Sequence, residues 1–166
     1  EVLAGWELAE VSKRIKGEEN TSVQITVRSI LGEMRGISVR RKKINISSVE
    51  GMNVDQNGTA YIRLVQFTSR SGSEFKEAIS DLKEKGMKRL ILDLRDNSGG
   101  LLSAAIEITE CFLSKGQLIV SIKGRKANDV RDYHSNTEEN LSDIPMVVLM
   151  NEGSASASEI VGGALS

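Results

Sequence analysis

Short apolar segments alternate with segments of helical periodicity over residues 59–166, and this alternation constrains the fold more than any other feature of the sequence. The apolar segments are residues 60–65, 90–94, 118–122 and 146–150. Helical patterns follow at 73–85, at 101–114 and from 157 onward. Strands that alternate with helices form βαβ units, so the sequence predicts the α/β class with a mainly parallel sheet. Catalytic groups in such sheets gather at the carboxyl ends of the strands.

The N-terminal part of the chain follows another pattern. Residues 6–16 show helical periodicity, and alternating segments near 23–27 and 37–41 predict two strands, which together are too little to close a core. Residues 44–58 are polar, contain turn signals and predict an irregular linker. We therefore expect a partial domain at 1–43, a linker at 44–58 and a core domain at 59–166.

Composition excludes several classes of protein. The formal net charge is −1, and the short basic cluster at 40–43 is better explained as a solvated strand edge, so we expect no nucleic-acid partner. Cys111 is the single cysteine, which excludes an internal disulfide, and its apolar neighbours predict a core position. No apolar run reaches the ~18 residues that span a bilayer. Residue 1 is not Met and both ends resemble interior sequence, so we expect a fragment of a longer protein.

Segment 151–160, N-E-G-S-A-S-A-S-E-I, lies between the last predicted strand and the last predicted helix. Its small residues let the backbone turn sharply, and the free N–H groups of a helix N-terminus favour negative charge developing on a substrate. A serine in this turn therefore has the setting of a nucleophile. The alternative is a serine-rich helix cap, which composition alone favours because serine is common at caps.

Segment 93–100, D-L-R-D-N-S-G-G, also lies between a predicted strand and a predicted helix. Gly99 and Gly100 permit positive φ and leave their backbone N–H groups accessible, which suits an oxyanion hole. The alternative is a tight loop in which Asn97 or Ser98 caps the following helix.

Together the two segments resemble the tail-specific, or C-terminal processing, serine peptidases. The family pattern D-L-R-x-N-x-G-G matches residues 93–100, and S-A-S-A-S-E matches 154–159. Residues 58–64, with Phe67, resemble the family's G-x-x-Y-I strand, and residues 6–43 resemble the end of its embedded PDZ domain. The resemblance covers nearly the whole chain. It implies a ClpP/crotonase-like protease core preceded by a partial PDZ-like α+β segment.

The resemblance also assigns roles to residues. It implies that Ser156, the middle serine, is the nucleophile, although spacing alone does not separate it from Ser154 and Ser158. It implies an oxyanion hole formed by a backbone N–H of the glycine pair and that of Ala157. It implies no metal and no organic cofactor. Arg95 and Glu159 are expected to brace the two loops, and Asp96 and Asn97 either do the same or cap a turn. None of these four is expected to be catalytic.

The general base of the family is a lysine, which works only if burial lowers its pKa towards neutrality. In the family pattern this lysine follows the nucleophile in an F-G-K-G context, beyond the last residue of this chain, and completes a Ser-Lys dyad. The lysines before the nucleophile lack that context. His134 with Asp132 or Asp143 is an alternative pair, but a lone histidine in a polar loop is usually at the surface. We therefore expect this chain alone to be inactive and its parent to be active.

The PDZ resemblance implies protein or peptide substrates with accessible C-termini, whose terminal carboxylates are captured by β-augmentation. The family works mostly outside the cytoplasm, in the periplasm, cell envelope or thylakoid lumen, and a membrane-associated parent is compatible with it. The truncated core is expected to self-associate through an exposed sheet edge. The alternative function is a non-catalytic binding protein on the same fold, and the retained S-A-S-A-S-E segment argues against it.

Overall fold

The computed structural model describes residues 3, 5–44, 47–126, 129–138 and 141–166. The chain divides into two compact units, Glu1–Ile46 and Ser47–Ser166. Within the described ranges, no helix combines the length and the apolar character needed to cross a membrane.

The described residues of the first unit form one helix and one hairpin, as their sequence pattern predicts. These elements are α1 (Leu8–Ile15), β1 (Ser22–Arg28) and β2 (Met34–Arg40), with β1 and β2 antiparallel. None of the unit's described residues is buried, because a single helix and a single hairpin cannot enclose a core. Arg41 joins the two parts: its Nε donates to the carbonyl of Ile15 at 2.8 Å and its Nη1 to Thr21 Oγ1 at 2.9 Å.

The second unit has mixed α/β architecture with a mixed sheet, which confirms the predicted α/β class. Its elements are β3 (Val49–Val54), β4 (Thr59–Leu64), α2 (Ser71–Glu84), β5 (Arg89–Asp93), α3 (Leu102–Glu110), β6 (Leu118–Lys123), β7 (Val130–His134), β8 (Met146–Leu149) and α4 (Ala157–Ala164). The main sheet has the order β3-β4-β5-β8. Strand β3 is antiparallel to β4, whereas β4, β5 and β8 are parallel.

The alternation of β4 explains where the core lies. Ala60, Ile62 and Leu64 are all fully buried, and in the parallel register Ile62 lies opposite Leu92. Helices α2 and α3 add further apolar side chains to the same cluster, including Phe75. Burying a side chain of this size contributes about 1.5–3 kcal/mol. The sheet and these two helices therefore form one continuous core that fixes the ends of the strands.

Three details differ from the sequence prediction. Strand β3 lies inside the range 44–58, which the polar composition predicted as an irregular linker. Only its end residues, Val49 and Val54, pack against the core, so this edge strand shows no apolar alternation. Strand β6 forms as predicted but does not join the main sheet, since it pairs with β7 in a separate antiparallel hairpin. Strand β7 occupies part of a segment whose polar sequence suggested a loop.

The parallel strands determine where the polar segments meet. Because β5 and β8 are adjacent and parallel, their carboxyl ends lie at the same edge of the sheet, with Asp93 opposite Leu149. The N–H of Leu94 continues this pairing and donates to the carbonyl of Leu149 at 2.9 Å. The loops after β5 and β8 therefore leave the sheet side by side.

Candidate active site

The candidate site is formed by the two loops that follow β5 and β8. We call residues 94–101 the glycine loop and residues 150–156 the serine loop. Both were singled out by the sequence patterns, and the structure brings them into contact. A Cβ placed on Gly99 would lie 2.9 Å from the Cβ of Ser156 and 2.9 Å from the backbone nitrogen of Ala157. This approach is tighter than real Cβ atoms tolerate, so only glycine fits at position 99.

Asn97 links the two loops to the sheet. Its side chain is fully buried, where Nδ2 donates to the carbonyl of Leu64 at 2.8 Å and Oδ1 accepts the N–H of Gly99 at 2.9 Å. Its own carbonyl accepts the N–H of Ala155 at 3.1 Å and the hydroxyl of Ser158 at 2.8 Å. The sequence predicted Asn97 either as a brace between the two loops or as a turn cap, and these bonds show the bracing role. The available signal was an amide with both donor and acceptor capacity in a loop between two buried segments.

A second link lies at the outer side of the loops. The N–H of Asp96 donates to Asn151 Oδ1 at 2.8 Å, and Asn151 Nδ2 donates back to Asp96 Oδ1 at 2.9 Å. Asp96 has a φ of +61°, a left-handed conformation in which Asp is over-represented among non-glycine residues. Arg95 and Glu159, by contrast, make their closest recorded bonds within their own segments, with Asp93 and with the N–H of Ser156 respectively.

The three serines of the S-A-S-A-S sequence at 154–158 have different environments. Ser154 is half-buried and donates its hydroxyl to the carbonyl of Leu94 at 2.7 Å. Ser158 is fully buried and donates to the carbonyl of Asn97. Ser156 is exposed. The structure thus separates three candidates that spacing alone left equivalent, because two of the hydroxyls serve the packing of the loops.

The backbone at Ser156 is unusual. Its φ of +55° and ψ of −112° lie outside the regions that residues with a side chain normally adopt. Such conformations cost of order 1–3 kcal/mol and cluster at functional sites. Ser156 is also the N-cap of α4, and Glu159 Oε2 accepts its N–H at 2.7 Å. Ser156 therefore caps α4 while its side chain is exposed.

The two glycines of the glycine loop differ in whether their backbone N–H groups donate a hydrogen bond. The N–H of Gly99 is donated to Asn97. Gly100, with a φ of +146°, forms a parallel bridge with Phe67, in which Phe67 N donates to the carbonyl of Gly99 at 3.0 Å and Leu101 N donates to the carbonyl of Phe67 at 2.9 Å. In a parallel bridge the middle residue directs its own N–H away from the partner.

The remaining N–H at the site belongs to Ala157, the first residue of α4, whose N–H has no partner within the helix. Among the described residues, neither Gly100 N–H nor Ala157 N–H donates a recorded hydrogen bond. Ala157 directly follows Ser156, and Gly100 directly follows Gly99, which lies against Ser156.

A charged network lies just below the loops. Asp93 is fully buried and accepts the hydroxyl of Tyr61 at 2.7 Å, Arg95 Nε at 2.9 Å and Arg95 Nη2 at 2.7 Å. The Arg95 guanidinium holds the pKa of Asp93 far below its usual range. The carboxylate in turn raises the pKa of Tyr61. These three side chains fix the start of the glycine loop and stay in one charge state near neutral pH.

An open, mainly apolar groove of about 550 Å³ lies beside Ser156. Its other lining residues are Ile119, Val120, Glu159, Ile160, Gly163 and Ala164. Neither a lysine nor His134 is among the described residues that line it. His134 lies on β7, opposite Leu118. In the described part of the chain, no group of His, Cys, Asp and Glu is arranged to hold a metal ion.

Comparison with known proteins fits this geometry. The profile of peptidase family S41 matches residues 58–166, which include both loops. The chain belongs to this family. The S41 chain is 38% identical over 168 residues to a carboxy-terminal-processing protease of Bartonella bacilliformis, covering 98% of this chain and 38% of that protein. It is 34% identical over 163 residues to a "Probable CtpA-like serine protease" of Staphylococcus aureus, covering 98% of this chain and 32% of that protein.

A solved structure has the same fold. The photosystem II D1 C-terminal processing protease matches with a TM-score of 0.63 and 28% identity, covering 97% of this chain and 45% of that one. The S41 chain thus spans about a third of the length of the curated relatives described above, at 38% and 32%.

Proposed function

We propose that this S41 chain carries the nucleophile and the oxyanion hole of a serine endopeptidase that cleaves proteins near their C-termini. The observation that carries the proposal is the position of Ser156. It is the exposed member of the three serines, on a strained turn at the N-terminus of α4 and directly against Gly99. This is the setting that an attacking hydroxyl needs.

For the oxyanion hole we propose the N–H groups of Gly100 and Ala157. Gly99 N–H is a poorer candidate than the sequence suggested, because Asn97 Oδ1 already accepts it. Gly99 then serves close packing, and Gly100 supplies the donor. Removing one such donor typically costs about 10²–10³ in kcat.

The general base that we propose is a lysine, as the resemblance implies, supplied by a part of the parent protein outside this chain. The absence of lysine and histidine from the described lining of the groove supports this proposal. Lys115 pairs with Glu138 at 2.7 Å, which also argues against it as the base. The chain alone is then expected to be inactive.

The groove beside Ser156 supports peptides as substrates. Ile119, Val120 and Ile160 give it an apolar lining that suits a small apolar side chain next to the scissile bond. We further propose that the first unit is the end of a PDZ domain that selects substrate tails in the parent, and that the parent works outside the cytoplasm. A ClpP/crotonase-like relationship of the protease core belongs to the same proposal.

The test is a comparison of serine variants in the parent protein. Ser156→Ala should lower hydrolysis of a peptide with a free C-terminal carboxylate by about 10⁴-fold or more. Ser158→Ala is the matched control, since it removes the buried hydroxyl two residues away and should lower stability while leaving measurable turnover. The same peptide with an amidated C-terminus tests tail selection. Unchanged turnover in Ser156→Ala would show that the serine is only a helix cap.

A non-catalytic binding protein is the second candidate, and the N-cap role of Ser156 is the observation that favours it. A binder would bind the same peptide without hydrolysing it, both in the parent and in Ser156→Ala. Labelling of the parent by a fluorophosphonate at Ser156 would exclude this candidate, because that reagent needs an activated serine.

A further inference from the structure

Three hydroxyl groups meet in the interior behind the glycine loop, and neither the proposed chemistry nor the sequence patterns account for them. Ser71 Oγ donates to Ser48 Oγ at 2.6 Å, Ser48 Oγ lies 3.1 Å from Thr68 Oγ1, and Thr68 Oγ1 lies 3.2 Å from Ser71 Oγ. Ser48 and Ser71 are fully buried. We call Ser48, Thr68 and Ser71 the hydroxyl cluster. Thr68 is half-buried. Most buried hydroxyls in proteins are hydrogen-bonded, and these three bond to one another.

The hydroxyl cluster holds the segment between β4 and α2 from both sides. At one end, Val65 N donates to the carbonyl of Ser48 at 2.9 Å. At the other end, Thr68 N donates to Ser71 Oγ at 2.7 Å. The N–H of Ser48 is itself fixed by Glu74 Oε2 at 2.7 Å, so the cluster is anchored to the first turns of α2.

Phe67 lies between these two anchors and carries the glycine loop. It is buried, and its N–H and carbonyl both bond to the glycine loop, on either side of Gly100. A Cβ on Gly100 would overlap the Phe67 carbonyl, so the two backbones lie at the closest approach that glycine permits. The direction of Gly100 N–H is therefore set by the position of Phe67 and, through Phe67, by the hydroxyl cluster.

We infer that the hydroxyl cluster is a positioning device for the Gly100 N–H of the oxyanion hole. The inference rests on the proposed function, but the claim that the hydroxyl cluster fixes the bridge between Phe67 and Gly100 is independent of that function. None of the three residues is among the described residues that line the groove beside Ser156. They act through Phe67, and a shift of the bridge would misalign the donor without removing any group from the site.

Thr68 offers a matched pair of variants for the test. Thr68→Val replaces the hydroxyl by a methyl group of similar size, whereas Thr68→Ser keeps the hydroxyl. In the parent protein, Thr68→Val should lower kcat by about tenfold to hundredfold with little change in KM, because misplacing a transition-state contact acts on kcat. Affinity for a peptide boronate, which forms a tetrahedral adduct with serine, should fall by the same factor. Thr68→Ser should keep both kcat and the affinity for the boronate close to the wild-type values.

Hydrogen exchange provides a readout that needs no activity. In this chain, Thr68→Val should increase exchange at the amides of Phe67 and Leu101, which form the bridge, and leave exchange in α3 unchanged. Unchanged exchange at the bridge would refute the positioning role, as would a loss of activity that Thr68→Ser shares. If the parent shows no hydrolysis that depends on Ser156, the proposed function is wrong, and the exchange result alone then decides whether the cluster sets the bridge.

Discussion

Replacement of Asn97 by aspartate tests the central claim about how the two loops are held together. The buried Nδ2 of Asn97 donates to the carbonyl of Leu64 at 2.8 Å, and Oδ1 accepts the N–H of Gly99 at 2.9 Å. Asn97→Asp keeps the shape and the acceptor but replaces the donor with oxygen. At neutral pH a carboxylate oxygen would then face a carbonyl oxygen inside the core, with neither hydrated.

The expected effect depends on pH, and its sign follows from protonation. Burial and the facing carbonyl both raise the pKa of the new carboxyl in the folded state, above about 3.9 in the unfolded chain. The protonated carboxyl can donate to Leu64, so its stabilising contribution is complete below the unfolded pKa and is lost as pH rises through the folded pKa. A rise of roughly two to three units corresponds to a loss of about 3–4 kcal/mol at pH 7.

Urea denaturation of this chain, followed by far-ultraviolet circular dichroism, measures the difference from wild type at pH 4 and at pH 7.5. We expect a small difference at pH 4 and the full loss at pH 7.5. Ser98→Asp is the control, because it adds the same charge one residue away at an exposed position and should stay within about 0.5 kcal/mol at both pH values. An Asn97→Asp variant as stable as wild type at pH 7.5, or a loss independent of pH, would refute the role assigned to Nδ2.

Other predictions concern a charge, a glycine and an arginine. The pKa of Asp93 is lowered in the folded state, so the stabilising contribution of its carboxylate is present above about pH 4 and declines as pH falls below that value. Asp93→Asn should therefore flatten this part of an acid-denaturation curve. An unchanged curve would contradict the prediction. Gly100→Ala combines a φ of +146° with overlap of the Phe67 carbonyl and should lower the urea midpoint, whereas Gly163→Ala, a control in open space within α4, should raise it slightly. Arg41→Met should lower the urea midpoint that is measured by fluorescence of the single tryptophan. Arg41→Lys should lower it as well, since one ammonium group cannot bond to both acceptors of the guanidinium group.

The sequence was sufficient to predict those elements whose side chains alternate between core and solvent. Strand β4 and helix α2 have such patterns, and both form close to the predicted bounds. The position of the two loops also followed, since the carboxyl ends of adjacent parallel strands lie together. Strand β3 was missed because its pairing comes from backbone bonds at a sheet edge, which leave no apolar period in the sequence.

The finer structure of the site was less accessible. No pattern distinguishes Ser154, Ser156 and Ser158, because the difference is that the hydroxyls of Ser154 and Ser158 bond to main-chain carbonyls whereas Ser156 is exposed. The use of Gly99 N–H by Asn97 depends on a side-chain rotamer, and the hydroxyl cluster joins residues more than twenty positions apart. Such contacts are set by tertiary packing and are not encoded in local spacing.

The different environments of the three serines determine how the site responds to substitutions. Two of the hydroxyls are committed to main-chain carbonyls that hold the loops in place, so neither can turn outward without loosening the turn that presents the third. The repeated S-A-S-A-S motif therefore offers no redundancy despite its appearance. Under the proposed function, a substitution at Ser156 is then not rescued by a neighbouring serine, and substitutions at Ser154 or Ser158 act on the architecture of the turn.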